Sequence, residues 1–326
     1  MDQQTESVVL KALEDSDANV RKAAAVSLAK CESTHAKSAL IKAIKDKVWQ
    51  IRESVINSIG EANITEASDV LFKVLGCEDD ASARKAILQW AVSKGEEAAD
   101  AKPKAGGVPG AADPKKPVGE PWQVKKAAAL ALSKIRPDIA VQPLIAALAV
   151  DNPTAKMAAM AGLGNINATQ AAGPLIEFLS NADWNVRKMA AQTLGRLKAE
   201  EAADGLYTLL GDEKFAVRME AVIAINHIKP AEAVVALSKV VVSDNNYEVR
   251  KVAATALGNM KTMDAVPALE KAMDDENWMV RKAAVDALTN LKAVEALGRI
   301  TLSLADEQED VRSSAAVSVI RLSQIA

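Results

Sequence analysis

The stretch DWNVRKMAAQTLGRL, residues 183–197, sets the pattern for the whole chain. Its basic residue Arg187 is the anchor from which positions are counted. A small residue stands three positions after the anchor, and an aliphatic residue stands seven positions after it. Offsets of three, seven and ten lie on one face of an α-helix. The stretch is therefore predicted to form a helix with Ala190, Leu194 and Leu197 in the core.

The anchor recurs at a nearly constant interval along the 326 residues. Successive anchors are 31 or 32 residues apart, apart from one interval of 41. They are Arg21, Arg52, Arg84, Lys125, Lys156, Arg187, Arg218, Arg250, Arg281 and Arg312. Such a period is typical of stacked two-helix units that bury their apolar faces against one another. The sequence predicts an all-α fold, a right-handed α-α superhelix (solenoid) of about ten such repeats.

Proline and glycine mark fixed places in the predicted repeat. Pro143, Pro174 and Pro267 are predicted in the first turn of the first helix, where a missing N–H costs nothing. Glycine recurs eight residues after the anchor, at Gly60, Gly164, Gly195 and Gly258. Because glycine disfavours a helix, we expect a close approach by a neighbouring backbone there, or the start of the C-terminal turn.

The element Asp-x-x-x-x-Val-Arg-x-x-Ala-x-x-x-Leu-Gly is complete from Asp244 to Gly258. It resembles the HEAT-repeat family, most closely the short bacterial and archaeal subclass found in phycobilin lyase subunits. The resemblance covers almost the whole chain and implies a HEAT-like solenoid. It implies no single function, because members of the subclass have many unrelated roles.

Residues 96–121 interrupt the array. This Pro/Gly/Ala/Lys-rich segment contains five of the eleven prolines and no Leu, Ile or aromatic residue. We predict a disordered insertion, with three repeats before it in 1–95 and the remaining repeats after it in 122–326. Either the solenoid continues across the insertion or the array breaks there. The segment is either an arm that contacts a partner or a tolerated surface insertion.

Composition restricts the class of function. The formal net charge of −3 argues against a dedicated nucleic-acid binder, which needs clustered excess Lys and Arg. Cys31 and Cys77 form no disulfide framework and no Cys-x-x-Cys pair. The first residues lack the features of a signal peptide, and no apolar run reaches the ~20 residues of a membrane span. We expect a cytoplasmic protein with no membrane contact.

Acidic residues stand six positions before most anchors. They are Asp15, Asp46, Asp212, Asp244, Asp275 and Asp306, before Arg21, Arg52, Arg218, Arg250, Arg281 and Arg312 respectively, and Asn181 stands before Arg187. A fixed offset between acid and arginine favours an internal structural ladder that ties repeats together. The alternative is a basic stripe that binds an acidic ligand.

Aromatic residues form a further column, three positions before the anchor. It contains Trp49, Trp122, Trp184, Phe215, Tyr247 and Trp278. The rings either pack between repeats or form an edge of anchors for a partner. On the same helices Lys188, Gln192, Lys251 and Lys282 are further candidates for partner contact, although a row of lysines is also an ordinary solvated face.

The sequence shows no catalytic arrangement. His35 and His227 are the only histidines, whereas the HEAT-repeat deoxyhypusine hydroxylases hold iron with repeated His-Glu pairs. We predict no cofactor and no metal, and a non-catalytic scaffold, adaptor, assembly factor or complex subunit that binds another protein. Two alternatives stay open: a bilin lyase or chaperone-like subunit, and a weak binder of acidic surfaces or nucleic acid. Apolar residues in the first and last helices also suggest self-association through the solenoid ends.

Overall fold

The computed structural model describes residues 2–77, 79–100 and 122–325. Over these residues the chain consists of α-helices, single turns of 3-10 helix and short connections, with no strand. The predicted all-α fold of helix pairs is confirmed. No helix in this part of the chain is long and apolar enough to cross a bilayer. Backbone contacts separate two compact units, Met1–Ala168 and Thr169–Ala326.

The first unit begins with two helix pairs that follow the predicted repeat. Helix α1 packs against α2, α3 packs against α4, and the second helices α2 and α4 lie side by side. The helices of this unit are α1 (Gln3–Ala12), α2 (Ala18–Leu28), α3 (Thr34–Ala43), α4 (Trp49–Glu61), α5 (Ser68–Leu75), α6 (Asp80–Asp100), α7 (Trp122–Ile135), α8 (Pro137–Ala147) and α9 (Pro153–Asn165).

Helix α7, which follows the predicted insertion, packs along α4 and α5. A Cβ added to Gly60 of α4 would lie 2.9 Å from the Cα of Ala131 in α7, so the two backbones are in direct contact. In sequence order α6 is the second helix that follows α4, so the repeat pattern predicts α6 as the neighbour of α4. In the structure α7 packs beside α4. The first unit therefore contains packed helices from both sides of the insertion.

Helix α6 continues to Asp100, beyond the predicted start of the insertion at residue 96, and packs against α8 and α9. Arg136 lies between α7 and α8 and joins the N-terminal ends of α6 and α8. Its Nη2 is 2.9 Å from Asp80 Oδ2 and 2.8 Å from Asp138 Oδ2. Residues 101–121, and with them most of the segment predicted to be disordered, lie outside the described residues.

The second unit contains five regular helix pairs. Each second helix packs against the next, from α11 through α13, α15 and α17 to α19. The first helices are α10 (Ala172–Ile176), α12 (Ala203–Leu209), α14 (Ala233–Ser243), α16 (Val266–Ala272) and α18 (Leu297–Leu302). The second helices are α11 (Trp184–Leu197), α13 (Phe215–Ile228), α15 (Tyr247–Asn259), α17 (Trp278–Leu291) and α19 (Glu309–Ser323).

The core of the second unit consists of columns of identical or similar side chains. The residue directly before each anchor is a buried valine: Val186, Val217, Val249, Val280 and Val311. The alanine three residues after each anchor is also buried. A β-branched residue and a small one at these offsets let neighbouring helices interlock at short range. These columns hold the second helices in register.

Glycine sets the shortest distances between second helices. A Cβ added to Gly195 would lie 2.7 Å from the Cα of Ala224, and one added to Gly258 would lie 2.8 Å from the Cα of Ala287. Real side chains essentially never approach this closely. The expected close backbone approach at these glycines is confirmed.

Four second helices of the second unit are followed by a lysine in the left-handed conformation. The φ angles are 54° at Lys198, 56° at Lys229, 57° at Lys261 and 58° at Lys292. This conformation costs a non-glycine residue about 1–2 kcal/mol. A cation at a helix C-terminus offsets part of that cost through the helix dipole, and the ammonium of Lys229 also donates to the carbonyl of Asn259 at 2.9 Å.

One proline differs from the sequence expectation. Pro267 lies in the first turn of α16, as predicted. Pro143, however, lies inside α8, which begins six residues earlier at Pro137. The sequence prediction was wrong here because Pro137 already supplies the preferred first-turn proline, and the apolar segment that follows it is long enough to carry the helix past Pro143.

Candidate partner-binding surface

Four ladder arginines of the second unit bridge two successive turns: Arg187, Arg218, Arg250 and Arg281. Arg250 shows the geometry: its Nε donates to Asp275 Oδ2 at 2.6 Å and its Nη2 to Asp275 Oδ1 at 2.8 Å. Its Nη1 donates to the main-chain oxygen of Asp244 at 2.8 Å. Asp275 also accepts a hydrogen bond from the main-chain N–H of Asn277 at 2.8 Å. Asn277 is the residue directly before the next helix, α17. Arginine thus joins the carboxylate of the following repeat to the backbone of its own turn.

The same contacts recur wherever the partners are described. The bidentate pairs are Arg21–Asp46, Arg187–Asp212, Arg218–Asp244 and Arg281–Asp306. The bonds to the backbone of the same turn are Arg21–Asp15, Arg52–Asp46, Arg187–Asn181, Arg218–Asp212, Arg281–Asp275 and Arg312–Asp306. These guanidinium donors are engaged in hydrogen bonds within the protein.

The ladder lowers the pKa of three of its carboxylates, those of Asp46, Asp212 and Asp306. The hydrogen bond from Arg21 lowers the pKa of Asp46, and the bond from Arg281 lowers the pKa of Asp306. At Asp212 burial opposes the shift, but the hydrogen bonds from Arg187 and from the amide of Lys214 still lower the pKa below its ordinary value. The carboxylates are therefore held in the charged form that the arginines require.

The aromatic column supplies the first residue of six second helices: α4, α7, α11, α13, α15 and α17. Trp49, Trp184, Tyr247 and Trp278 are half-buried, and Phe215 is 43% exposed. The side chain of Trp122 lies outside the described residues. None of the described rings of this column is fully buried, so each presents part of its surface to solvent.

The lysines beside the rings differ from the ladder arginines. The ammonium of Lys188 lies 5.4 Å from the ring centroid of Trp184, within the range of a cation–π contact. Lys282 donates to Asp286 on its own helix at 2.7 Å. Lys251 is half-buried and forms no ion pair with a described carboxylate. Gln192 is exposed.

A groove of about 450 Å³ runs between α15 and α17. Trp278 and Met279 lie at one end and Asn290 at the other, with Lys251 on the α15 side. The close approach at Gly258 brings the small Ala287 into the groove wall. The groove therefore combines an apolar base with amide, hydroxyl and ammonium groups at its rim.

A second groove of about 480 Å³ lies on the other side of α17, against α19. Hydroxyl groups line it: Ser314 donates to Asp286, and Thr289 bonds to Ser318 at 2.6 Å. Lys282, Asp286 and Asn290 line both grooves. These three residues form a polar ridge between an aromatic groove and a hydroxyl-lined one.

Sequence reasoning missed Glu220, which lies on the face formed by the second helices. It lies on α13, where burial raises its pKa and the charge of Lys188 on α11 partly opposes that shift. Nothing in the sequence pattern distinguishes it, because the equivalent positions in other repeats carry different residues. The left-handed lysines were also missed, although their recurrence eleven residues after the anchor was available as a signal.

A separate pocket of about 720 Å³ lies along the turns of the second unit, between Tyr207 and Lys239. The hydroxyl of Tyr207 is buried, makes no hydrogen bond to a described residue, and has its pKa raised by burial. His35 and His227 are exposed, and the described residues contain no cluster of His, Cys, Asp and Glu fit for a metal ion. The aromatic and lysine columns remain the best candidates for a functional surface.

Comparison with known families agrees with this architecture. A model of HEAT repeats matches residues 6–91, 141–226, 172–242 and 234–321, which together make up most of the chain. The chain belongs to the HEAT-repeat family. A model of the PBS lyase HEAT-like repeat also matches residues 124–149 of this HEAT-repeat chain. The resemblance stated from the sequence is confirmed.

Several solved structures are similar to this HEAT-repeat chain. An engineered protein matches with 21% identity and a TM-score of 0.46 over 98% of each chain. Human deoxyhypusine hydroxylase in complex with glycerol matches with 16% identity and a TM-score of 0.35, over 98% of this chain and 96% of its own. The complex of CpcE and CpcF of phycocyanin lyase from Nostoc sp. matches with 23% identity and a TM-score of 0.39, over 46% and 98%. No curated protein matches the chain.

Proposed function

We propose that this HEAT-repeat protein is a non-catalytic scaffold, adaptor or assembly factor that binds another protein along the second-helix face of its second unit. One observation carries the proposal: the repeated rings and lysines on this face are only half-buried, whereas the repeated valines and arginines are buried or paired inside the protein. Trp184, Tyr247 and Trp278 therefore present aromatic surface at regular intervals.

Energetics support such a face as a binding surface. Tryptophan and tyrosine are the residues that most often dominate binding energy, because they bury a large rigid area at little conformational cost. The groove beside Trp278 gives a partner side chain a place to enter. The polar ridge of Lys282, Asp286 and Asn290 supplies directional hydrogen-bonding groups at its edge.

The experiment compares the wild type with two truncated variants and measures which proteins each of them captures from an extract of the native host. The double variant Trp184→Ala, Trp278→Ala removes two rings of the face. Leu302→Ala is the matched control, because Leu302 is a large apolar residue that is 65% exposed on the first helix α18. We expect the double variant to lose specific partners that the wild type and the control retain.

Thermal melting of all three proteins separates binding from folding. Lost capture with an unchanged melting temperature supports the proposal. Capture by the double variant equal to that of the wild type contradicts it, and lost capture that follows a lower melting temperature assigns the rings to packing alone.

A bilin-directed role is a second candidate, because residues 124–149 match the PBS lyase HEAT-like repeat. Under this proposal the purified protein, mixed with a free bilin, shifts and sharpens the visible absorbance of the pigment. A spectrum equal to the sum of the separate components contradicts a bilin-binding role and leaves the scaffold proposal intact.

A further inference from the structure

Lys251 is one of the cations of this face. It is half-buried at the rim of the groove between α15 and α17 and forms no ion pair with a described carboxylate. By contrast, its chain neighbour Arg250 is bonded to Asp275 and Asp244. An ammonium at the rim of a groove that is not paired with a described carboxylate is available to an anionic group of a partner.

Lys188, two second helices away, is in a similar position. Its ammonium contacts the ring of Trp184 and pairs with no described carboxylate within bonding distance. Glu220 on α13 is near enough for the charge of Lys188 to act on its pKa, but the two residues form no ion pair. Lys282, between the two grooves, is already paired with Asp286. Lys188 on α11 and Lys251 on α15 are therefore two cations of this face that form no ion pair with a described carboxylate.

We propose that the occupant of this face is an extended acidic segment of a partner protein, with carboxylates that bind Lys188 and Lys251. This inference rests on the proposed scaffold function and specifies its partner. The side chains between the carboxylates contact the apolar surface of α13, where Phe215 is exposed. A residue beyond the second carboxylate enters the groove beside Trp278.

The repeat geometry sets the spacing of the two acids. Neighbouring packed helices have axes about 8–10 Å apart, so Lys188 and Lys251, two helices apart, are separated by roughly 16–20 Å. An extended chain advances about 3.1–3.3 Å per residue, which makes the matching separation about six residues. Residues six apart share a face in a β-strand, with its period of two, and in a polyproline II helix, with its period of three. The spacing therefore holds for either backbone conformation.

The test uses fluorescein-labelled peptides of one composition that differ only in the spacing of two glutamates. Fluorescence anisotropy against the full chain is expected to show about tenfold tighter binding for the spacing of six than for a spacing of three, and weaker binding at high salt. Lys188→Glu and Lys251→Glu are each expected to remove this preference. Lys271→Glu, an exposed lysine on the first helix α16, is the matched control and is expected to keep it.

Exchanging the charges of the lysine and of the peptide glutamate distinguishes a lost contact from a variant that merely fails to fold. Lys251→Glu is expected to bind a peptide in which lysine replaces the second glutamate, with recovery of most of the lost affinity. Equal affinity for all spacings, or full binding by both face variants, overturns the inference. Tighter and equally lysine-dependent binding of an oligothymidine probe also overturns it, in favour of nucleic acid. If host proteins are still captured through Trp184 and Trp278 while the peptides fail, the scaffold proposal stands and only the acidic partner is wrong.

Discussion

Replacing Gly258 with alanine is expected to destabilise the protein, although alanine is the better helix former. The new Cβ would lie 2.8 Å from both the Cα and the Cβ of Ala287 on the adjacent helix α17. Carbon atoms in contact are about 3.5–4.0 Å apart, so α15 and α17 must separate by roughly 1 Å. Overpacking of this kind costs about 1–3 kcal/mol.

The opposing contribution is the helix propensity, which favours alanine over glycine by about 1 kcal/mol. Because one of the obstructing atoms belongs to the backbone of Ala287, no change of rotamer relieves the contact. We therefore expect a net decrease of up to about 2 kcal/mol in the free energy of unfolding for Gly258→Ala. Gly298 in α18 is the matched control: an added Cβ meets nothing within 4 Å, and Gly298→Ala is expected to gain about 0.5–1 kcal/mol.

Urea titration followed by circular dichroism measures both variants against the wild type. A repeat protein need not unfold in one step, so both the midpoint and the slope of each titration are compared. A midpoint for Gly258→Ala equal to or above that of Gly298→Ala refutes the reasoning. It would mean that α15 and α17 can move apart without losing their packing.

Further predictions concern the ladder, acid stability and the helix ends. Asp275→Ala is expected to cost about 3 kcal/mol in a urea titration, because it removes the bidentate partner of the 7% exposed side chain of Arg250 and leaves the exposed Glu276, at 3.2 Å, as the remaining carboxylate. Unchanged stability would contradict a structural role for the pair. Because the pKa values of Asp46 and Asp306 are lowered in the folded state, their stabilisation is complete above the unfolded pKa of about 3.9 and is lost as the pH falls through the lower folded values. Melting temperatures at decreasing pH should therefore fall mainly below about pH 4, and a fall that begins near neutral pH would point to other groups. Lys261→Gly is expected to raise the free energy of unfolding by about 1 kcal/mol by relieving its left-handed backbone, whereas a lower urea midpoint would show that the lysine side chain matters more.

The repeat register was predictable because it depends on residues that are near one another in sequence. The anchors, the alanine column and the starts of the second helices at Trp49, Trp184 and Trp278 follow from helical periodicity and a constant interval. The close approach at Gly258 was also predictable, since a glycine that recurs in a helix needs a packing reason.

The packing of α7 against α4 was not predictable in the same way. Both helices carry the same repeat pattern, so the sequence offered no reason to prefer α7 over α6 as the neighbour of α4. The choice depends on which pair of surfaces fits, such as Gly60 against Ala131. The start of α8, by contrast, agrees with a local signal, the proline Pro137 followed by an apolar segment, which the sequence prediction had assigned to Pro143.

The sequence alone determined an all-α array of HEAT-like helix pairs, with a basic column and an aromatic column at fixed offsets. The tertiary structure decided which basic residues form hydrogen bonds within the protein. Arg250 and Lys251 are adjacent in the chain, yet one joins two turns and the other lies at the rim of a groove. Successive residues of a helix point about 100° apart, so one of them faces the next repeat and the other faces outward. The partner of Arg250 is Asp275, 25 residues away in the turn before α17, which the local sequence does not specify.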